Sequence, residues 1–355
     1  AMVHVGRRDV SAAKQDLATL KQLAPNLPAV NYLQALVSFQ DGDYERASDE
    51  LQTLLRVAPG NLQAQLLYGI VSYARKEFTI ADDYLTRVLA STPGNTEVVK
   101  LVGAARLKLR QPDRALEVLS SAVDADTKDA QLLALLGTAY LQTGNNTKGS
   151  EYIERAVELD PDQALLRTQL AVGRIGAGDT ASAISQLESA VALGQDVVQA
   201  DVLLVLSYLN KKEFDKAISA SEALEQRMAD SPIPYNLTGL AFLAQRKFEA
   251  ADARFRLALE KDPKFVVAQM NLARLALVQQ KLDLAANAYQ EVLKLDSKHV
   301  GAMMGLAALA RARNEPDEAE SWLLKANEAN PQALQPTLLL AEMYLRNNEG
   351  LKANN

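Results

Sequence analysis

One spacing runs through the whole sequence. The tripeptide "PGN" occurs at Pro59–Asn61 and again at Pro93–Asn95, 34 residues later, each time after a stretch of leucine, valine and alanine. Stepping by 34 from Pro59 in both directions reaches Pro25, Pro93, Pro161, Pro263 and Pro331, with Thr127, Gln195, Ala229 and Ser297 in the slots between. Six of the chain's 12 prolines share this grid without an insertion or deletion, which marks an internal repeat.

Three further grids carry the packing. One holds alanine at positions 13, 47, 81, 115, 183, 217, 251, 285, 319 and 353, with Gly149 as its one departure. A second holds small residues, Ala35, Gly69, Gly103, Gly137, Ala171, Gly239, Ala273, Ala307 and Ala341, broken by Val205. A third holds bulk, Leu17, Leu51, Leu85, Leu119, Ile153, Leu187, Phe255, Tyr289 and Leu323, broken by Ser221. Two helices approach closely only where one presents Gly or Ala, and the bulky position then fills the neighbouring gap.

A single unit, residues 130–163, shows the local logic. Leu132, Leu133, Leu136 and Tyr140 recur at helical spacing. Gly144 supplies the backbone freedom that ends a helix, and Asn145 is a cap for the next. Helical spacing resumes through Ile153, Ala156 and Val157, and Asp160-Pro161 closes it. The unit is helix, turn, helix, turn. One such hairpin cannot bury both of its faces, so it must stack on the next.

The period, the small residue in the first helix, the alanine in the second and the closing proline resemble the tetratricopeptide repeat, over essentially the whole chain. That resemblance implies an all-α fold, a right-handed α-solenoid of stacked helix-turn-helix hairpins with a 34-residue period. Residues 1–27 are expected to hold a partial repeat with a second helix at about Asp9–Leu23. Nine contiguous units are expected over 28–333, and a last first helix in 334–355, at about Leu334–Arg346. The array reads as a piece of a longer one, and Ala1-Met2 as a cloning remnant. The sixth unit, Val198–Ser231, is the least regular, and two readings stand: repeat drift, or a pitch change or hinge over 198–234.

Composition bounds the function. The net charge of −6 is spread along the chain and lacks the basic excess of nucleic-acid binders. Cysteine is absent and only His4 and His299 are present, so thiol chemistry and Cys-ligated zinc are excluded from this chain. The histidines are expected at the surface, not as ligands. No Walker loop, dinucleotide fingerprint or HExxH pattern occurs. No enzyme and no cofactor is expected. The longest uncharged run, 130–147, is too polar to span a membrane.

What remains is surface. In tetratricopeptide superhelices the first helices line the concave face, and the resemblance places Tyr32, Leu36, Leu66, Ile70, Lys100, Asn236, Leu240, Met270, Arg274, Met304 and Arg311 there. No unit pairs Lys with Asn as the carboxylate-clamp co-chaperones of the family do, which disfavours a cytoplasmic co-chaperone. An apolar groove suits a peptide or protein segment. Met270, Arg274, Met304 and Arg311 form the strongest single patch, with adaptable methionines beside arginines that suit an anion. The alternative is that these four only pack against adjacent helices.

The run "MADSPIPYNLTGLAFLAQRKFEAADARFRLALEKDPKFVVAQMNLARLAL" and its continuation "GAMMGLAALARARNEPDEAESWLLKANEANP" resemble the tetratricopeptide-repeat lipoproteins of the bacterial PEP-CTERM/exosortase system. This implies a periplasmic scaffold, tethered to the outer membrane through a lipid anchor absent from this chain, in exopolysaccharide production or protein sorting. A cytoplasmic location is the alternative. A structural solenoid that self-associates through its own surfaces is the alternative function.

Overall fold

The computed structural model describes residues 2–7, 9–23, 27–195 and 197–346, and among them all regular structure is helical. Pro25 and Ala353 of the grids lie outside these residues, as does Ala1.

The hairpins expected from the period are present. In the unit read above, the helices are Ala130–Gln142 and Asn146–Leu159, and the Asn145 side chain accepts the backbone N–H of Lys148, capping the second. Both "PGN" asparagines are caps as well. Asn61 accepts from Ala64 N–H, and Asn95 from Glu97 and Val98. The first partial repeat supplies Val10–Leu23 and the last supplies Leu334–Arg346.

The chain divides into two compact units, Ala1–Gln195 and Asp196–Asn355. Within each, every helix from Val10 onward packs against the next. First helices of neighbouring repeats also touch: Pro28–Gln40 with Leu62–Ala74 and Thr96–Lys108 with Ala130–Gln142 in one unit, Val198–Asn210 with Pro232–Ala244 and Pro232–Ala244 with Val266–Val278 in the other. The first helices are therefore the tighter side of each stack.

The alanine, small and bulky grids are the core. Ala47, Ala81, Ala115, Ala183, Ala217, Ala251, Ala285 and Ala319 are fully buried, as are Leu51, Leu85, Leu119, Ile153, Leu187 and Phe255. The small position meets the bulky one of the same repeat. A β-carbon added to Gly69 would stand 2.6 Å from Leu85 Cγ, one on Gly103 2.5 Å from Leu119 Cδ2, and one on Gly137 2.5 Å from Ile153 Cγ1.

A further grid emerges in the turn after each first helix. Positive φ occurs at Gly42, Lys76, Arg110, Gly144, Gly178, Lys212, Arg246, Gln280 and Asn314, every 34th residue. The chain enters the second helix through the same left-handed turn each time, and six of these positions are not glycine. The reading of Gly144 as a helix breaker thus holds for the geometry, while the residue type is optional.

The sixth unit keeps its volume. Val205 fills the small position and Ser221 the bulky one, and both are fully buried. The Ser221 hydroxyl donates to the carbonyls of Ala217 and Ile218 and accepts from Thr238 Oγ1 at 2.9 Å. The shortest second helix lies elsewhere, at Pro112–Ser120. Its repeat has Thr127 in the proline slot, and Thr127 Oγ1 closes a turn with Asp124 instead.

Candidate functional site

The first helices carry apolar side chains outside the grid positions that stay partly exposed. Two clefts result, one in each unit.

In the first unit, Tyr32 and Leu36 from Pro28–Gln40 and Leu66 and Ile70 from Leu62–Ala74 come together in a cleft of about 550 Å³. Val10, Phe39, Tyr44 and Leu67 complete its apolar walls, and Gln40 and Gln63 are its polar edge. Among the described residues no charged side chain lines it. Burial raises the Tyr32 hydroxyl above its ordinary pKa, so the phenol stays neutral and available as a donor.

In the second unit, Leu240 and Arg274 share a cleft of about 510 Å³ with Leu206, Leu209, Asn210, Leu243, Ala244, Arg246 and Val278. Three successive first helices form it, and Arg246 enters from the left-handed turn after the second of them. Leu206 is 42% exposed and Val278 51%, so the walls are apolar surface open to solvent.

Other expected groove residues are placed differently. Lys100 does not offer a free ammonium: it is buried, with Nζ 2.8 Å from Asp129 Oδ2 and 2.8 Å from Glu97 Oε1. The long side chain folds back onto the cap of the next first helix. Asn236 is also buried, and its Oδ1 accepts from Asn271 Nδ2 at 2.8 Å, tying two first helices together. Arg311 lies 3.9 Å from Glu342. Met270 packs on the core formed by Ala273, Tyr289 and Leu306, and Met304 is half-buried. The four-residue patch Met270, Arg274, Met304 and Arg311 therefore resolves into one cleft arginine, one paired arginine, one methionine packed on the core and one half-buried methionine.

Several lining residues carried no sequence signal. Arg246 sits in a turn slot that reads as a spacer, and Phe39 and Tyr44 flank a glycine turn. His299 is a cap, with Nδ1 accepting the Ala302 N–H at 3.1 Å. His4 stands 3.8 Å from both Asp9 and Asp16. A third cleft, of about 550 Å³, is lined by the second helices Phe248–Lys261 and Leu282–Leu295 with Gln269, Leu272 and Gln279 between them. Among the described residues no group of three or more His, Cys, Asp or Glu could hold a metal ion, and no helix is long and apolar enough to cross a membrane.

Stacked helical hairpins with an open first-helix face define an α-solenoid of the binding-scaffold class. The tetratricopeptide repeat matches residues 32–96, 168–232, 236–286 and 270–334, and a second form of it matches 106–171. The chain belongs to the tetratricopeptide repeat family. A tetratricopeptide repeat protein from Parabacteroides merdae is similar in structure, with TM-score 0.56 and 13% identity, covering 70% of this chain and 98% of that one. MamA from Desulfovibrio magneticus RS-1 is 25% identical at TM-score 0.44, over 48% of this chain and 97% of its own. A human IFIT1 dimer with m7Gppp-AAAA has TM-score 0.48 and 16% identity, over 98% of this chain and 92% of that one. These likenesses concern the fold. No curated protein matches the chain.

Proposed function

We propose that the chain is a protein-binding scaffold that takes a peptide or protein segment on the first-helix face, and that it serves bacterial envelope exopolysaccharide production or protein sorting. The observation that carries the binding reading is the convergence of Tyr32, Leu36, Leu66 and Ile70 in one uncharged, solvent-open cleft. Apolar side chains left at a surface cleft are what an amphipathic segment covers. The envelope setting, and with it a periplasmic, lipid-tethered full-length protein, rests on the resemblance to the PEP-CTERM/exosortase lipoproteins. Finding exosortase or polysaccharide-export genes beside this one would support that setting.

A photo-crosslinking amino acid placed at Leu36, Leu66 or Leu240 in the native host tests the reading, with Leu284 as the comparison site. Adducts to another protein at the first-helix positions, and not at Leu284, are expected. A second observation favours self-association: Leu284, on a second helix, is 55% exposed and lines the third cleft. Adducts that form only at Leu284, and only between copies of this chain, would sink the scaffold reading in favour of the self-associating solenoid.

A further inference from the structure

Arginine pairing sets one cleft apart. In the second unit Arg227 pairs with Asp201, Arg254 with Glu222 and Glu225, Arg256 with Asp252, Arg311 with Glu342 and Arg313 with Asp283. Arg246 and Arg274 have no carboxylate partner among the described residues. Both line the same cleft, and among the described residues no acidic side chain lines it with them.

The contrast has a physical meaning. Five other guanidinium groups of the second unit are neutralised by carboxylates. Two unpaired ones against Leu206, Leu209, Leu240, Leu243 and Val278 leave positive potential over an apolar wall, where partial exclusion of water strengthens attraction for an anion. The complementary occupant has apolar side chains for the wall and carboxylates for the fork-shaped donors. A nucleic-acid strand fits less well, because the cleft offers no aromatic face for bases to stack on.

We propose that this cleft binds a protein segment in which Asp or Glu flanks apolar residues, the carboxylates meeting Arg246 and Arg274 while the apolar side chains cover Leu206, Leu240 and Val278. The proposal rests on the first-helix face being the binding face and adds the chemistry of what binds. It also assigns a role to Arg246, a turn residue. The uncharged cleft of the first unit accepts apolar segments without this requirement.

A library of randomised short peptides, amidated at the C-terminus so that only side-chain carboxylates are present, tests it on the full chain. Selected peptides are expected to combine Leu, Ile, Val or Phe with Asp or Glu. Their affinity is expected to fall about tenfold with Arg274→Gln and with Arg246→Gln, the loss set by one charge-assisted hydrogen bond each. Neither arginine side chain has a partner among the described residues, so both variants should melt with the wild type. Selection of apolar peptides without acidic residues overturns the proposal while leaving the binding face in place. Acidic peptides indifferent to both substitutions overturn it too, as does single-stranded RNA that displaces the peptides through these arginines. Selection of no peptide at all overturns both the proposal and the groove reading.

Discussion

Gly239 lies against the ring of Phe255 so closely that a β-carbon on it would stand 2.5 Å from Phe255 Cε1 and 2.6 Å from Cδ1. This is the small-to-bulky contact of the repeat, with the largest of the fully buried side chains. The glycine costs its helix about 1 kcal/mol in propensity relative to alanine. Overpacking a filled core costs about 1–3 kcal/mol and outweighs that gain. Gly239→Ala should therefore lower stability by about 1–2 kcal/mol in urea denaturation. Gly60→Ala is the control: a β-carbon there meets nothing within 4 Å, so its stability should match or slightly exceed the wild type. Equal stability for the two variants would show that the contact relaxes freely.

Val205 and Ser221 hold the same two positions with the sizes exchanged, both fully buried. If the exchange conserves volume, the pair can be turned back. Ser221→Leu alone should destabilise by about 1–3 kcal/mol through overpacking, and Val205→Gly alone by a similar amount through a cavity and lost helix propensity. The double variant should recover at least about 1 kcal/mol of the summed loss, a coupling read from a double-mutant cycle. Thr238 Oγ1 retains its bonds to Glu225 and the Pro234 carbonyl in all of them. Strict additivity would separate the two positions and leave two unrelated departures from the grid.

The period and the core were legible in the sequence because both are one-dimensional facts. Constant spacing repeats one contact from unit to unit, as Gly69 against Leu85, Gly103 against Leu119 and Gly137 against Ile153 show. The candidate site was legible only where a short apolar side chain has one direction to go, as with Leu36, Leu66 and Ile70. The partner Lys100 takes beyond Glu97 on its own helix was not legible, because a long flexible chain pairs with what lies near in space. That partner is Asp129, 29 residues away. Arg246 was missed for a different reason. Its slot is filled by Gly, Lys, Arg, Gln or Asn in different repeats, so residue type there reads as turn filler, and its contribution to a cleft depends on the neighbouring helices.

The left-handed turn offers a test that does not touch the core. Lys212 holds φ +61° and Gly178, at the equivalent position of the preceding repeat, φ +83°. An L-residue in this region costs about 1–2 kcal/mol, partly offset by the greater unfolded-state entropy of glycine. Lys212→Gly should raise stability by about 0.5–1 kcal/mol, and Gly178→Val should lower it by more than 1 kcal/mol, roughly, because a β-branched residue tolerates positive φ least. Thermal melts read both. A destabilised Lys212→Gly would mean that the lysine side chain contributes more than its backbone strain costs.

The Lys100–Asp129 pair sets a pH window. Burial is the largest single influence on each group and opposes its charge, but the hydrogen bonds together prevail. The contacts to Asp129 and Glu97 hold the Lys100 amine above its ordinary pKa, and those from Lys100 and the Leu132 N–H hold the Asp129 carboxyl below its own. A depressed carboxyl stabilises the fold fully above the ordinary Asp value and loses this as pH falls through the folded value. A raised amine stabilises fully below the ordinary Lys value and loses this as pH rises through the folded one. Between those limits both contributions are complete. Asp129 also caps the helix Ala130–Gln142 through Leu132 N–H, and asparagine caps equally well, so Asp129→Asn removes the charge and keeps the cap. The variant should lose about 1–2 kcal/mol at neutral pH, less than a fully buried pair because Asp129 keeps part of its solvation. Its stability should also fall less steeply than the wild type's as pH drops below the ordinary carboxylate range. Urea denaturation repeated across pH measures both effects, and parallel curves for the two proteins would show that the ion pair contributes nothing to the acid sensitivity of the fold.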